Sequence, residues 1–118
     1  MTTTMTRSAL VFAAFMFSAV GGAQAAEMLT AKNGMTLYVF DKDAGGVSSC
    51  YDDCAVNWPP YLGKADDKLT EGWTLVKRTD NTMQWAYDGK PVYFFKGDKM
   101  KDDAAGDGKG GVWHVIKE

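Results

Sequence analysis

The chain has 118 residues, 24% of them charged, and a formal net charge of −2. Its basic residues do not form a Lys/Arg cluster, which argues against a nucleic-acid-binding surface. They do not form an amphipathic basic helix either, which argues against binding to a membrane surface. A chain of this length forms a single domain with a small core.

The first 25 residues have the pattern of a cleaved export signal. Residues 1–7 are polar with one positive charge, residues 8–20 are apolar, and Ala23-Gln24-Ala25 is a small-x-small cleavage site. The apolar run is shorter than the ~20 residues that span a bilayer, so a membrane anchor is disfavoured. We therefore predict cleavage after Ala25 and one mature domain, residues 26–118, in the periplasm or outside the cell, with no membrane span.

The first predicted strands form a hairpin. Residues 28–30 precede an Asn-Gly dipeptide at 33–34, which predicts a type I′ turn, and residues 35–40 form the second arm. Tyr38 and Phe40 face one way, and the residues that alternate with them are also apolar. This strand is therefore predicted to be buried on both faces.

A loop and a connector follow the hairpin. Residues 41–53 are rich in Asp, Gly and Ser and predict a loop. Pro59-Pro60 ends any strand around Trp58 or confines it to a sheet edge. Residues 61–72 are mostly polar and predict a connector without regular structure.

The second half repeats the alternation of apolar and polar residues. It predicts strands at residues 73–78, 83–87, 92–95 and 112–116. Asp88-Gly89 is a second hairpin signal. The last strand is predicted to pair with an earlier one and so to hold the end of the chain.

One motif occurs twice, 55 residues apart. Tyr-x-Phe-x-x-Asp is found first at Tyr38, Phe40 and Asp43, and again at Tyr93, Phe95 and Asp98. The turn dipeptides before it and the tryptophans after it keep the same spacing, which indicates an internal duplication, with repeat one about 28–62 and repeat two about 83–117. The pattern predicts an all-β domain of about seven short strands, a small sandwich or partly open barrel built from two tandem repeats with pseudo-twofold symmetry.

A wider set of motifs resembles a bacterial family. The set comprises the Tyr-x-Phe-x-x-Asp motif, two spaced cysteines, a Trp-Pro-Pro at 58–60, the run 84–93 and a Gly-Val-Trp-His at 111–114. It resembles the secreted repeats labelled predicted lipoproteins with a Yx(FWY)xxD motif, which implies an exported, duplicated module of unknown function. The chain departs from the label because no anchoring cysteine ends its leader, and it has Asp102 where glycine is expected.

The two cysteines, Cys50 and Cys54, have two interpretations. In an oxidising compartment a Cys-x-x-x-Cys pair can close into a structural disulfide, worth about 2 kcal/mol for so short a loop. Alternatively both thiolates bind copper or act in redox chemistry, together with His114 and a methionine such as Met100. We favour the disulfide and expect no cofactor, with copper as the alternative.

The repeated aspartates, Asp43 and Asp98, also have two interpretations. They could bind a cation or act as the acid and base of a hydrolase. They could instead fix the turns that follow the motif strands by accepting backbone N–H bonds, which we favour. His114 is the sole histidine and lacks the neighbours of a known catalytic motif, so it is predicted to be an ordinary strand residue.

The aromatic residues are predicted to be structural. Trp58, Trp85 and Trp113 are expected in the core with the repeated tyrosines, although an exposed stripe of Trp and Tyr could stack on a ligand. The sequence therefore predicts an exported, non-enzymatic β-module that binds or scaffolds an unknown protein or ligand of the cell envelope. The alternative is a periplasmic copper-binding or redox-linked protein that uses Cys50, Cys54 and His114.

Overall fold

The computed structural model describes residues 27–117, so the predicted leader lies outside the described residues. These residues are all-β, with two short helical segments. The strands are β1 (Tyr38–Phe40), β2 (Leu62–Gly63), β3 (Trp73–Lys77), β4 (Met83–Tyr87), β5 (Lys90–Pro91) and β6 (Trp113–Val115). The helical segments are α1 (Asp53–Asn57) and a 3₁₀ turn (Lys109–Gly111).

The strands form two antiparallel sheets. β1 pairs with β6, which places Val39 opposite His114. β4 is the central strand of the second sheet, paired with β3 on one edge and with β2 and β5 on the other. Reciprocal backbone bonds of 2.8 and 2.9 Å between Tyr38 and Tyr93 connect β1 to the segment that follows β5.

The turn of the first hairpin is not the predicted type I′ turn. Gly34 has a φ of 84°, but Asn33 does not share the left-handed conformation that a type I′ turn requires at both central residues. The hairpin instead closes around three residues, since Ala31 N–H donates to Met35 O at 2.9 Å. The Asn33 side chain favours this turn, because its Oδ1 accepts a bond from Met35 N–H at 2.9 Å.

The second hairpin signal forms the expected turn. Asp88 and Gly89 have φ values of 53° and 78°, and Tyr87 pairs directly with Lys90. Asp102, where glycine was expected, has a φ of 71°, a conformation in which glycine carries no steric cost.

Three segments differ from their predicted secondary structure. Residues 28–30 and 92–95 are joined to their neighbours by isolated bridges or short pairings rather than continuous ladders. The predicted connector at 61–72 contains β2 near its start. Directly before β2, Tyr61 O accepts a 2.8 Å bond from the backbone N–H of Trp85 in β4. A strand of two residues is too short to produce a periodic pattern.

Two core clusters lie on either side of the first motif strand. Leu37, Trp85 and Val92 belong to one cluster, and Tyr38 and Tyr93 belong to the other. Leu37 and Tyr38 are adjacent and both fully buried, as the two-sided apolar pattern predicts. The segment that carries the first motif thus contributes to both cores.

Candidate functional site

Each repeated aspartate binds the repeated tyrosine of the other repeat. The hydroxyl of Tyr38 donates to Asp98 Oδ2 at 2.7 Å, and the hydroxyl of Tyr93 donates to Asp43 Oδ2 at 2.8 Å. Both tyrosines are fully buried. The motif residues are therefore brought together, but in crossed pairs that join the two repeats.

The second carboxylate oxygen of each aspartate holds the loop that follows it. Asp43 Oδ1 accepts bonds of 2.8 Å from the backbone N–H and the hydroxyl of Ser49. Asp98 Oδ1 accepts a 2.9 Å bond from the backbone N–H of Ala105. These contacts are the kind expected of a structural aspartate.

The buried phenols are weak acids. Burial, followed by the hydrogen bond to Asp98, raises the pKa of Tyr38 well above its ordinary value. Burial also raises the pKa of Tyr93, where Asp43 adds to the effect and the bond from Ser48 opposes it. Both hydroxyls therefore stay protonated, and remain donors, to a higher pH than an ordinary tyrosine.

Four rings from the two repeats form a continuous stack. Phe40 lies 4.1 Å from Trp113, Trp113 lies 3.9 Å from Trp58, and Trp58 lies 4.3 Å from Phe95, as ring centroids. The repeated tyrosines each meet one of the two indoles nearly edge-on at 5.2 Å. Two of the three tryptophans singled out from the sequence thus lie together, while Trp85 lies in the other core cluster.

The candidate copper ligands lie in different environments. Cys50 and Cys54 are joined by a disulfide, and Cys50 is fully buried beside the ring stack. His114 Nε2 lies 2.8 Å from Asp41 Oδ2, and Met100 is exposed. Between residues 27 and 117 no group of three or more His, Cys, Asp or Glu side chains is placed to hold a metal ion. The copper alternative stays a prediction.

A buried arginine is the main polar feature that sequence reasoning missed. Arg78 is 4% exposed, and its Nη1 donates to Ser48 Oγ at 2.9 Å and to Gln84 Oε1 at 2.7 Å. Its Nη2 donates to Cys50 O at 2.7 Å, and the guanidinium lies 4.2 Å from the ring centre of Tyr51. Such bonds offset the cost of burying the charge.

This polar cluster extends to one of the two crossed pairs. Ser48 Oγ is hydrogen-bonded to the hydroxyl of Tyr93, which in turn donates to Asp43. The hydroxyl of Tyr38 has a different environment, since it accepts a 3.2 Å bond from the backbone N–H of Gly106. The hydrogen-bond partners around the motif tyrosine therefore differ between the two repeats.

A cleft with ring-lined walls opens beside the other core cluster. It has a volume of about 420 Å³ and is lined chiefly by Lys32, Tyr61, Lys68, Thr70, Trp73 and Trp85; we call it the aromatic cleft. Its rings stand nearly perpendicular, with Tyr61 at 89° and Trp85 at 88° to Trp73. Of these residues only Trp85 was predicted from the sequence to be important, as a structural residue. The only sequence signal for a cleft was the high density of aromatic residues.

The family model described as "Secreted repeat of unknown function" matches the chain twice, over residues 24–61 and 74–117. The chain belongs to this family. It carries two copies of a secreted repeat, as the duplicated motif predicts, and the family's description agrees with export from the cell. Searches of curated proteins and of solved structures gave no match. Along residues 27–117 this family member has no helix of the length and apolarity needed to cross a membrane.

Proposed function

We propose that this secreted repeat is a non-enzymatic binding module of the bacterial cell envelope, and that the aromatic cleft holds its ligand. The observation that carries the proposal is the cleft itself. Its volume of about 420 Å³ falls in the range of small-molecule sites, and rings with a few polar groups are the usual lining of such sites. Tyr61 and Trp73 are only partly buried there, so their surfaces remain available.

The cleft draws on both repeats. Lys32 and Tyr61 belong to the first repeat and Trp85, in β4, to the second. Trp73, at the start of β3, lies between the two repeats. A ligand in the cleft would therefore depend on how the two repeats are held together. The crossed Tyr–Asp pairs and the ring stack supply that rigid support.

We also propose pseudo-twofold symmetry between the repeats, in a small sandwich or partly open barrel. Support comes from matched backbone bonds that exchange partners between the repeats. Leu29 N–H donates to Ile116 O, and Trp85 N–H donates to Tyr61 O, both at 2.8 Å. The two acceptors are 55 residues apart, like the two motifs. The two donors are 56 residues apart, because the first hairpin turn has three residues and the second has two.

The test blocks the cleft without removing any core side chain. Thr70 is exposed and lines the cleft, so Thr70→Trp fills it, whereas Thr74→Trp places the same bulk on an exposed position of β3 outside it. The protein and both variants, purified after export, are immobilised and incubated with an extract of the envelope. Bound molecules are eluted and identified by mass spectrometry.

We expect a ligand retained by the wild type and by Thr74→Trp but lost from Thr70→Trp, with unchanged thermal unfolding of all three proteins. Equal retention by the Thr70→Trp variant would show that the cleft is not the binding site.

A further inference from the structure

The aromatic cleft differs in charge from the chain as a whole. Acidic residues outnumber basic residues, 15 to 13, over the full sequence. The charged residues that line the cleft in the described part of the chain are nevertheless both lysines, Lys32 and Lys68. Both are exposed, which lets the aliphatic stems lie along the rings while the ammonium groups stay in water. The cleft is therefore complementary to a negative charge at its rim.

The rest of the lining suits a flat ring better than a sugar. Trp73 stands nearly perpendicular to both Tyr61 and Trp85, so an entering ring can meet the face of one side chain and the edge of another. The uncharged polar side-chain groups of the lining are the hydroxyls of Thr30, Thr70 and Tyr61 and the indole N–H groups of the two tryptophans. No side-chain amide or carboxylate from residues 27–117 lines the cleft to bind a set of sugar hydroxyls.

We propose that the aromatic cleft binds a small aromatic molecule that carries an anionic group, with the ring against the indoles and the anion beside Lys32 and Lys68. This inference rests on the proposed function, because it names the ligand class of the same cleft. A volume of about 420 Å³ suits a ligand of roughly two fused rings.

The probe is 2-naphthoate, compared with its uncharged analogue 2-naphthamide and with glucuronate, an anionic sugar. Binding to the protein purified after export is measured by isothermal titration calorimetry at low and high ionic strength. We expect 2-naphthoate to bind about tenfold more tightly than 2-naphthamide, roughly threefold for each exposed lysine. High salt should reduce this preference, because it screens charges at the surface. Glucuronate should not bind.

A charge-matched pair of variants separates the cleft from the general surface. Lys32→Ala/Lys68→Ala should bind 2-naphthoate and 2-naphthamide equally. Lys64→Ala/Lys77→Ala also removes two positive charges, but from exposed positions that do not line the cleft, and it should keep the preference for 2-naphthoate. The Thr70→Trp variant should bind neither naphthalene derivative.

Equal affinity of the wild type for the acid and the amide, binding of glucuronate, or binding of no probe would each overturn the proposed ligand class. The envelope experiment then separates the two proposals. If the wild type still retains a ligand that Thr70→Trp loses, the cleft is the binding site and only the ligand class is wrong. If Thr70→Trp retains it too, the proposed function fails as well.

Discussion

At the scale of single residues, the repeated motif is explained by crossed hydrogen bonds. Each motif tyrosine donates to the motif aspartate of the other repeat, at 2.7 and 2.8 Å, from a fully buried position. A buried phenol needs an acceptor and a carboxylate needs donors, so each pair meets both requirements at once. We infer that the spacing of tyrosine and aspartate is kept in both copies because each copy depends on the other.

The raised pKa values of Tyr38 and Tyr93 predict a loss of stability at alkaline pH. The folded state favours the protonated phenol, so its contribution is complete below the ordinary tyrosine pKa of about 10 and is lost as the pH rises above it. Urea unfolding should give a lower free energy of unfolding at about pH 11 than at about pH 8. Each of Tyr38→Phe and Tyr93→Phe should flatten this dependence.

The same variants test the crossed bonds at neutral pH. Tyr93→Phe leaves Asp43 Oδ2 without its phenol donor and should lower the free energy of unfolding by about 1–2 kcal/mol. Tyr87→Phe is the control, because its hydroxyl has no hydrogen-bond partner among residues 27–117. A slope with pH that is unchanged in Tyr38→Phe and Tyr93→Phe would contradict the assignment.

At the scale of elements, the β3–β4 hairpin contributes the buried polar cluster. Gln84 in β4 is fully buried, although its alternation with apolar residues along the strand suggests a side chain that faces solvent. Its Nε2 donates to Val92 O at 2.9 Å. Arg78, directly after β3, bonds Gln84 and reaches Ser48 and Cys50 O in the loop before α1. The β3–β4 hairpin is thus joined to the loop of the first repeat that contains Cys50.

Removing the arginine should destabilise the protein strongly. Arg78→Met keeps much of the apolar stem but leaves Gln84 Oε1 and Cys50 O without their donor, and we expect a loss of about 3 kcal/mol in the free energy of unfolding. Lys77→Met, one residue earlier and exposed, should change it by less than about 0.5 kcal/mol. Urea denaturation measures both, and equal small effects would show that the cluster contributes little.

At the scale of the whole molecule, neither repeat is complete by itself. The first segment of repeat one pairs with the last segment of repeat two through Leu29 and Ile116, and the first segment of repeat two pairs with Tyr61 at the end of repeat one. β1 and β6 likewise come from different repeats. One cooperative unit is the expected result, since each half lacks partners for its backbone groups.

Separate halves of the chain should therefore not fold. Peptides 26–66 and 67–118 should each lack near-ultraviolet circular dichroism from ordered rings, and mixing them should restore it as Trp58 and Trp113 stack. The chain cut at an inserted protease site beside Asp66, which is exposed, is the control and should stay folded. Ordered signal from either half alone would contradict the exchange of partners.

The order of residues was sufficient to predict an exported, all-β chain with two repeats and a first motif strand buried on both faces. Export follows from the composition of the leader, and the other properties follow from apolar periodicity and from repetition, all of which can be read directly along the sequence. The tertiary structure alone decided that Asp43 bonds Tyr93 rather than its own tyrosine, that Arg78 is buried, and that Tyr61, Trp73 and Trp85 form the walls of a cleft. These contacts join residues from distant parts of the chain, so no local pattern records them.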